Sequence, residues 1–177
     1  MENKKNYRQC IINKIEGLVE QREVTIGTIK TTYLLCGNGE PVIFLHGAGA
    51  GAVTWYPSIN TIARNFQVIA PDIVGYGESD KPDAPYNRPY FSKWLKDFLK
   101  ELKISKAHIV GLSQGGAIAL QFAIENAAMV DKLVLVDSAG LGAKVSFWPL
   151  IGTIWMNSFP SSMANRFNSR YILLKPI

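Results

Sequence analysis

The sequence is poor in the residue types from which metal and acid–base sites are most often built. Its 177 residues include two cysteines, Cys10 and Cys36, and two histidines, His46 and His108. Two cysteines make no disulfide framework and no ligand spacing surrounds them, so no metal and a reducing, cytoplasmic setting are expected. The N-terminal MENKKNYRQC is polar and lacks an apolar core, so no signal peptide is expected. The most apolar late stretch, VSFWPLIGTIWMNSF, is broken by Pro149 and is too short for a stable membrane span. Charge of one sign is scarce as well. Lys and Arg total 19 against 14 Asp and Glu, a net charge of +5. Short basic clusters such as Lys4-Lys5 and Lys93/Lys96/Lys100 read as solvated surface, and no nucleic-acid partner is expected. Internal repeats and low-complexity segments are absent.

What is present is a globular composition, 47% hydrophobic with charges of mixed sign, sized for one domain with a buried core. EVTIGTIKTTYLL alternates about Gly27-Thr28, the pattern of a two-stranded hairpin. PVIFLHG, FQVIAPD, AHIVGLS and KLVLVDSAG are short, continuously apolar runs, as strands buried on both faces require. Between them, Phe91, Trp94, Leu95, Phe98, Leu99 and Leu102 recur at helical spacing, and a second helix is predicted from Gln114 to Val130. Strands alternating with helices predict an α/β fold, a mostly parallel sheet with flanking helices. Residues 1–22 read as a tail with a short amphipathic piece, 23–142 as the core, and 143–177 as aromatic, Pro-broken helical pieces.

Three motifs carry candidate chemistry. In HIVGLSQGGAIAL an apolar strand runs into Gly111-Leu112-Ser113-Gln114-Gly115, and a small-faced helix follows. A serine on so sharp a turn is exposed, and its flanking glycines remove side chains that would collide with the neighbouring strand and helix. The helix N-terminus beneath it adds positive potential where an oxyanion would form. Ser113 is therefore the candidate nucleophile. LHGAGAG, Leu45 to Gly51, is a glycine-rich loop that can aim backbone N–H groups at developing charge. The N–H of Ala48, with Gly49 as the fallback, pairs with that of Gln114 as the candidate oxyanion hole. The loop lacks the lysine of a P-loop and the spacing of a dinucleotide fingerprint, so no cofactor is expected. His46 is read as orienting this loop. APDIVGYGESDKP, with Asp72, is read as loop architecture.

Together these pieces resemble the α/β-hydrolase family. HGAGAG follows the third strand, PDIVGYGESDKP the fourth and GLSQGG the fifth, in the family's order, over residues 23–142. The stretch 143–177 resembles the start of the family's lid, with the chain stopping inside it. The glycine-rich loop is most similar to meta-cleavage product hydrolases and related esterases. A serine at the elbow separates the chain from the branches that use aspartate there. The resemblance implies a triad running Ser, then Asp or Glu, then His.

The chain departs from that order, because no histidine follows Ser113. His108 opens the strand that ends at Ser113. Five extended residues at about 3.3 Å each put it roughly 16 Å away, at the other end of the sheet. Lys144 falls in the lid region, and nothing sets it against Ser113. Asp137, at the end of the sixth strand, is a weak candidate acid. Three readings follow. The first is a serine hydrolase, esterase-like or cleaving a C–C bond beside a carbonyl, with a small ester or ring-opened acid as substrate and impaired by the missing acid and histidine. The second is an inactive binding module using Phe147, Trp148, Trp155 and Phe159. The third is an inert fragment. A sheet ending at LVLV would expose an apolar edge, so self-association or a complementing chain is expected there.

Overall fold

The computed structural model describes residues 2–139 and 171–174. In chain order its elements are α1 (Glu2–Ile12), β1 (Val19–Ile26), β2 (Ile29–Cys36), β3 (Glu40–Leu45), α2 (Tyr56–Ile62), β4 (Phe66–Pro71), α3 (Arg88–Glu101), β5 (Ala107–Leu112), α4 (Gln114–Glu125), β6 (Val130–Val136) and β7 (Tyr171–Leu174). Short 3-10 turns at Ala52–Trp55 and Ala127–Met129 lead into α2 and β6.

The strands form one sheet in the order β1-β2-β4-β3-β5-β6-β7. The β1–β2 hairpin closes on Gly27-Thr28, with Ile26 opposite Ile29, and β2 pairs antiparallel with β4. From β4 through β3 and β5 to β6 the pairing is parallel. Alternate residues of the central strands feed two cores. Ile43, Leu45, Ile69 and Ile109 pack with Phe98, Ile118 and Phe122 on one face. Val42, Phe44, Val68 and Ala70 pack with Trp55, Ile59, Ile12 and Ile15 on the other. Burial on both faces is why these strands read as unbroken apolar runs.

α3 starts where Asn87 caps it, its side chain accepting from the Tyr90 N–H at 3.0 Å, and its apolar stripe is buried as the spacing predicts.

The structure departs from expectation in four places. The helix expected to run to Val130 stops at Glu125, because Asn126 leaves helical backbone (φ −136°, ψ 45°) and Val130 already belongs to β6. Helix α2 was not anticipated; Pro57 in its first turn is the signal that could have marked it. Residues 1–22, read as a tail with a short amphipathic piece, hold α1 and the start of β1, and Ile12 and Ile15 are buried in one core with Ala52 and Trp55. Finally, LVLV is not an open edge: β7 pairs antiparallel along β6, from Leu133 opposite Leu174 to Val136 opposite Tyr171. Most of the lid reading, with Phe147, Trp148, Trp155, Phe159 and Lys144, lies outside the described residues.

Among the described residues no helix is long and apolar enough to cross a membrane. None of their His, Cys, Asp and Glu side chains form a group of three or more that could hold a metal ion.

Candidate active site

Strand order determines where the site can be. From β3 the chain steps to β4 on one side and returns to β5 on the other. The loops leaving β3 and β5 therefore part around a crevice at the strands' carboxyl ends, where open α/β sheets hold their ligands. Leu45 and Gly111 pair across the β3–β5 ladder, so the glycine-rich loop and the Ser113 turn emerge side by side. A Cβ placed on Gly47 would sit 3.4 Å from the Ser113 Cβ.

Ser113 occupies the turn between β5 and α4 with φ 50° and ψ −113°, a region that non-glycine residues rarely enter. Such backbone costs roughly 1–3 kcal/mol and persists only where the surroundings impose it. Here they do. The Ser113 N–H donates to the Val136 carbonyl at 3.0 Å, and its carbonyl accepts from Gly116 (3.0 Å), Ala117 (3.2 Å) and Ala139 (3.0 Å). The first turn of α4 is pressed between β5 and β3. A Cβ on Gly111 would strike the Gly115 carbonyl oxygen and lie 2.6 Å from the Gly116 Cα. One on Gly115 would strike the Leu45 carbonyl oxygen and lie 2.6 Å from that of His46. The Ser113 hydroxyl makes no hydrogen bond among the described residues.

Gln114 is the first residue of α4, so its N–H has no carbonyl of its own helix to meet. Its side-chain Oε1 is buried without a partner among the described residues. Ala48 lies in the loop beside Ser113. Gly49, next to it, takes φ +70°, and the Ala50 N–H donates to the Gly47 carbonyl at 3.3 Å. The three site residues drawn from the sequence thus come from two loops that the sheet brings together.

His46 is fully buried. The Ile73 N–H donates to its Nε2 at 3.0 Å, which fixes the proton on Nδ1, and Nδ1 donates to the Gly47 carbonyl at 2.8 Å. Burial pushes its pKa below the ordinary histidine value. With both nitrogens engaged, this neutral imidazole ties the glycine-rich loop to the loop after β4. His108 stands near the start of β5. Its Nε2 is 3.2 Å from Glu40 Oε2, and its Nδ1 is 3.2 Å from Asp131 Oδ2. Glu40 opens β3 and Asp131 is the second residue of β6, so His108 is at the opposite end of the parallel strands from Ser113. Asp137 directly follows β6, exposed and at φ 41°.

Asp72 is the hub of the surrounding loops. It is fully buried; its Oδ1 accepts from the Ala52 N–H at 2.6 Å and its Oδ2 from the Glu78 N–H at 2.9 Å. Ser79 Oγ donates to the Asp72 carbonyl at 2.6 Å. Arg8, from α1, is ion-paired with it at 2.9 Å. Arg8 is the residue that sequence reasoning missed. It is 64 positions away from Asp72 in a stretch with no motif, so no local signal could have found it.

This fold and site define a class. A family model for the alpha/beta hydrolase fold matches residues 40–170, and the chain belongs to that family. It is 39% identical over 144 residues to 2-hydroxy-6-oxo-6-(2'-aminophenyl)hexa-2,4-dienoic acid hydrolase of Metapseudomonas resinovorans, covering 79% of this chain and 50% of the relative. It is 37% identical over 129 residues to 2-hydroxymuconate semialdehyde hydrolase of Pseudomonas sp. (strain CF600), covering 71% of this chain and 46% of the relative. Among solved structures, the 2-hydroxy-6-oxo-6-phenylhexa-2,4-dienoate hydrolase of Rhodococcus sp. strain RHA1 superposes with a TM-score of 0.66 at 33% identity, covering 72% of this chain and 49% of that one. The chain thus spans about half the length of these relatives.

Proposed function

We propose that this chain carries the nucleophile and oxyanion half of a serine hydrolase acting on an ester or on a C–C bond beside a carbonyl. The observation that carries this is Ser113 held at φ 50° on a turn closed by glycines, at the N-terminus of α4 and beside the Ala48 loop. In this reading Ser113 Oγ adds to the substrate carbonyl carbon as its proton leaves. The carbonyl oxygen takes the negative charge, which the N–H groups of Ala48 and Gln114 receive. The C–O or C–C bond breaks, the leaving group takes a proton, and water then cleaves the acyl-serine. Each oxyanion donor is worth about 10²–10³ in rate. The relatives' names support a ring-opened dienoic acid as the substrate class.

Neither histidine is placed to take the Ser113 proton. His46 has both nitrogens engaged and His108 is at the far end of β5. In this reading neither histidine is the base, which falls to a lysine or to a complementing chain. Without it, the oxyanion hole and binding alone leave a rate about 10³–10⁴ above water.

A fluorophosphonate probe tests this. Ser113 Oγ displaces fluoride from phosphorus, so labelling of the wild type that vanishes in Ser113→Ala is the expected result. Labelling that persists in Ser113→Ala sinks the assignment of the nucleophile. No labelling of folded wild type means the serine is idle, and leaves the inactive scaffold.

A further inference from the structure

We propose that Arg8 is a positioning residue for the Ser113 site, holding the glycine-rich loop in place through Asp72. The proposal rests on the hydrolase reading above, since it gives the loop its purpose. The loop that carries Ala48 runs from Gly47 to Gly51, and three of those five residues are glycine. Glycine is the residue with the most backbone freedom to lose, so such a loop points its amides in one direction only if its ends are fastened.

Both ends are fastened to the segment after β4. At the leading end, His46 accepts from the Ile73 N–H and donates to the Gly47 carbonyl. At the trailing end, the Ala52 N–H donates to Asp72 Oδ1 at 2.6 Å. The leading tie is a neutral imidazole and needs no counter-charge. The trailing tie is a fully buried carboxylate, and a buried charge is retained only when it is paired. Among the described residues Arg8 makes the only ion pair with it, Nη1 lying 2.9 Å from Oδ2 and 3.2 Å from Oδ1. The guanidinium is itself held, since its Nε donates to Gln21 Oε1 on β1 at 3.0 Å and its side chain is 12% exposed. Ile12, the last residue of that helix, and Ile15 just after it share a core with Ala52 and Trp55, directly after the loop. α1 is in this way a brace on the trailing end of the oxyanion loop, with Arg8 as its polar contact.

Without the guanidinium, Asp72 keeps two backbone donors and loses its counter-charge. The carboxylate then draws in water, and its bond to Ala52 lengthens. Ala48 is four residues from that bond. A displacement of about an ångström at a donor is enough to cost roughly a hundredfold in rate.

The test uses the full chain as wild type, Arg8→Met and Arg8→Lys, with two readouts. Amide hydrogen exchange is followed over residues 47–52, 72–79 and 107–125. Fluorophosphonate labelling is resolved into the maximal inactivation rate and the half-saturating probe concentration. In Arg8→Met, exchange over 47–52 and 72–79 is expected to rise about tenfold or more, while 107–125 stays as in wild type. The maximal labelling rate is expected to fall about tenfold or more with the half-saturating concentration within about twofold. Arg8→Lys, which keeps the charge and loses the fork, restores most of both. It also carries the test if Arg8→Met fails to fold. Exchange that rises equally in all three segments, or in none, overturns the proposal. So does a lysine variant as impaired as the methionine one. A wild type that exchanges normally but never labels overturns the hydrolase reading instead, and the exchange pattern then decides alone whether Arg8 holds the loop.

Discussion

Replacing Gly115 by alanine sets two effects of opposite sign against each other. Gly115 is the second residue of α4, and its φ is not in the left-handed region, so alanine suits its backbone. Helix propensity alone then predicts that Gly115→Ala stabilises the protein by up to about 1 kcal/mol. Packing predicts the reverse. The new methyl would run into the Leu45 carbonyl oxygen and lie 2.6 Å from both the Leu45 carbonyl carbon and the His46 carbonyl oxygen. All three atoms are backbone, at the end of a strand paired on both sides, so no side-chain rotation relieves the contact. Relief requires α4 to move off β3 by the better part of an ångström, and overpacking on this scale costs about 1–3 kcal/mol or more. The packing effect wins, and the net loss is about 1–2 kcal/mol. For a chain of this size that lowers Tm by about 2–8 °C. Thermal unfolding by circular dichroism measures it, with Gly49→Ala as the control. Gly49 has open space around its Cβ position, so alanine there pays only for its φ of +70°. A Gly115→Ala protein that melts higher than wild type would refute the claim that helix and strand are in contact at this point. Because the same shift tilts the turn, Ser113 labelling should fall with the stability.

Two further predictions come from groups whose partners are explicit. His46 is neutral when folded, with its pKa pushed below 6.5 by burial, so the unfolded chain binds the extra proton first. Its contribution is complete above about pH 6.5 and is lost as the pH falls below that, by at most about 1.4 kcal/mol per pH unit. Denaturant unfolding from pH 7.5 to 5 should show this slope, and a His46→Gln protein with an unchanged slope would remove His46 as its source. Asn87→Ala removes the cap of α3, whose side chain holds the Tyr90 N–H at 3.0 Å. A loss of about 1 kcal/mol is expected, and Asn87→Asp should retain most of the wild-type stability; equal losses in both variants would show that the cap bond contributes nothing.

The hairpin about Gly27-Thr28, the four central strands, the apolar stripe of α3 and the Ser113 turn were all legible because each is announced within a few residues. Burial on both faces makes a strand continuously apolar, and burial on one face makes a helix repeat at three and four. A turn as tight as that at Ser113 admits little but glycine at Gly111 and Gly115. The end of α4, the existence of α2 and the pairing of Tyr171–Leu174 with β6 were less legible. Short apolar runs fit helix and strand alike, and only neighbours elsewhere in the chain choose between them.

For the site the division is sharper. The order of the three loop motifs is local information, and so is the absence of any histidine after Ser113. Strand order set those loops side by side. The sequence also shows that His46 follows a buried strand, but its proton position is decided by the amide of Ile73, 27 residues on. Arg8 had no meaning in the sequence at all. Its ion pair with Asp72 spans 64 positions, and a contact of that range leaves no periodicity, spacing or composition for a reader to find. Short-range sterics and hydrophobic patterning determined the elements and the candidate nucleophile. The partners of each buried charge and ring nitrogen were decided only when the sheet brought distant segments within bonding distance.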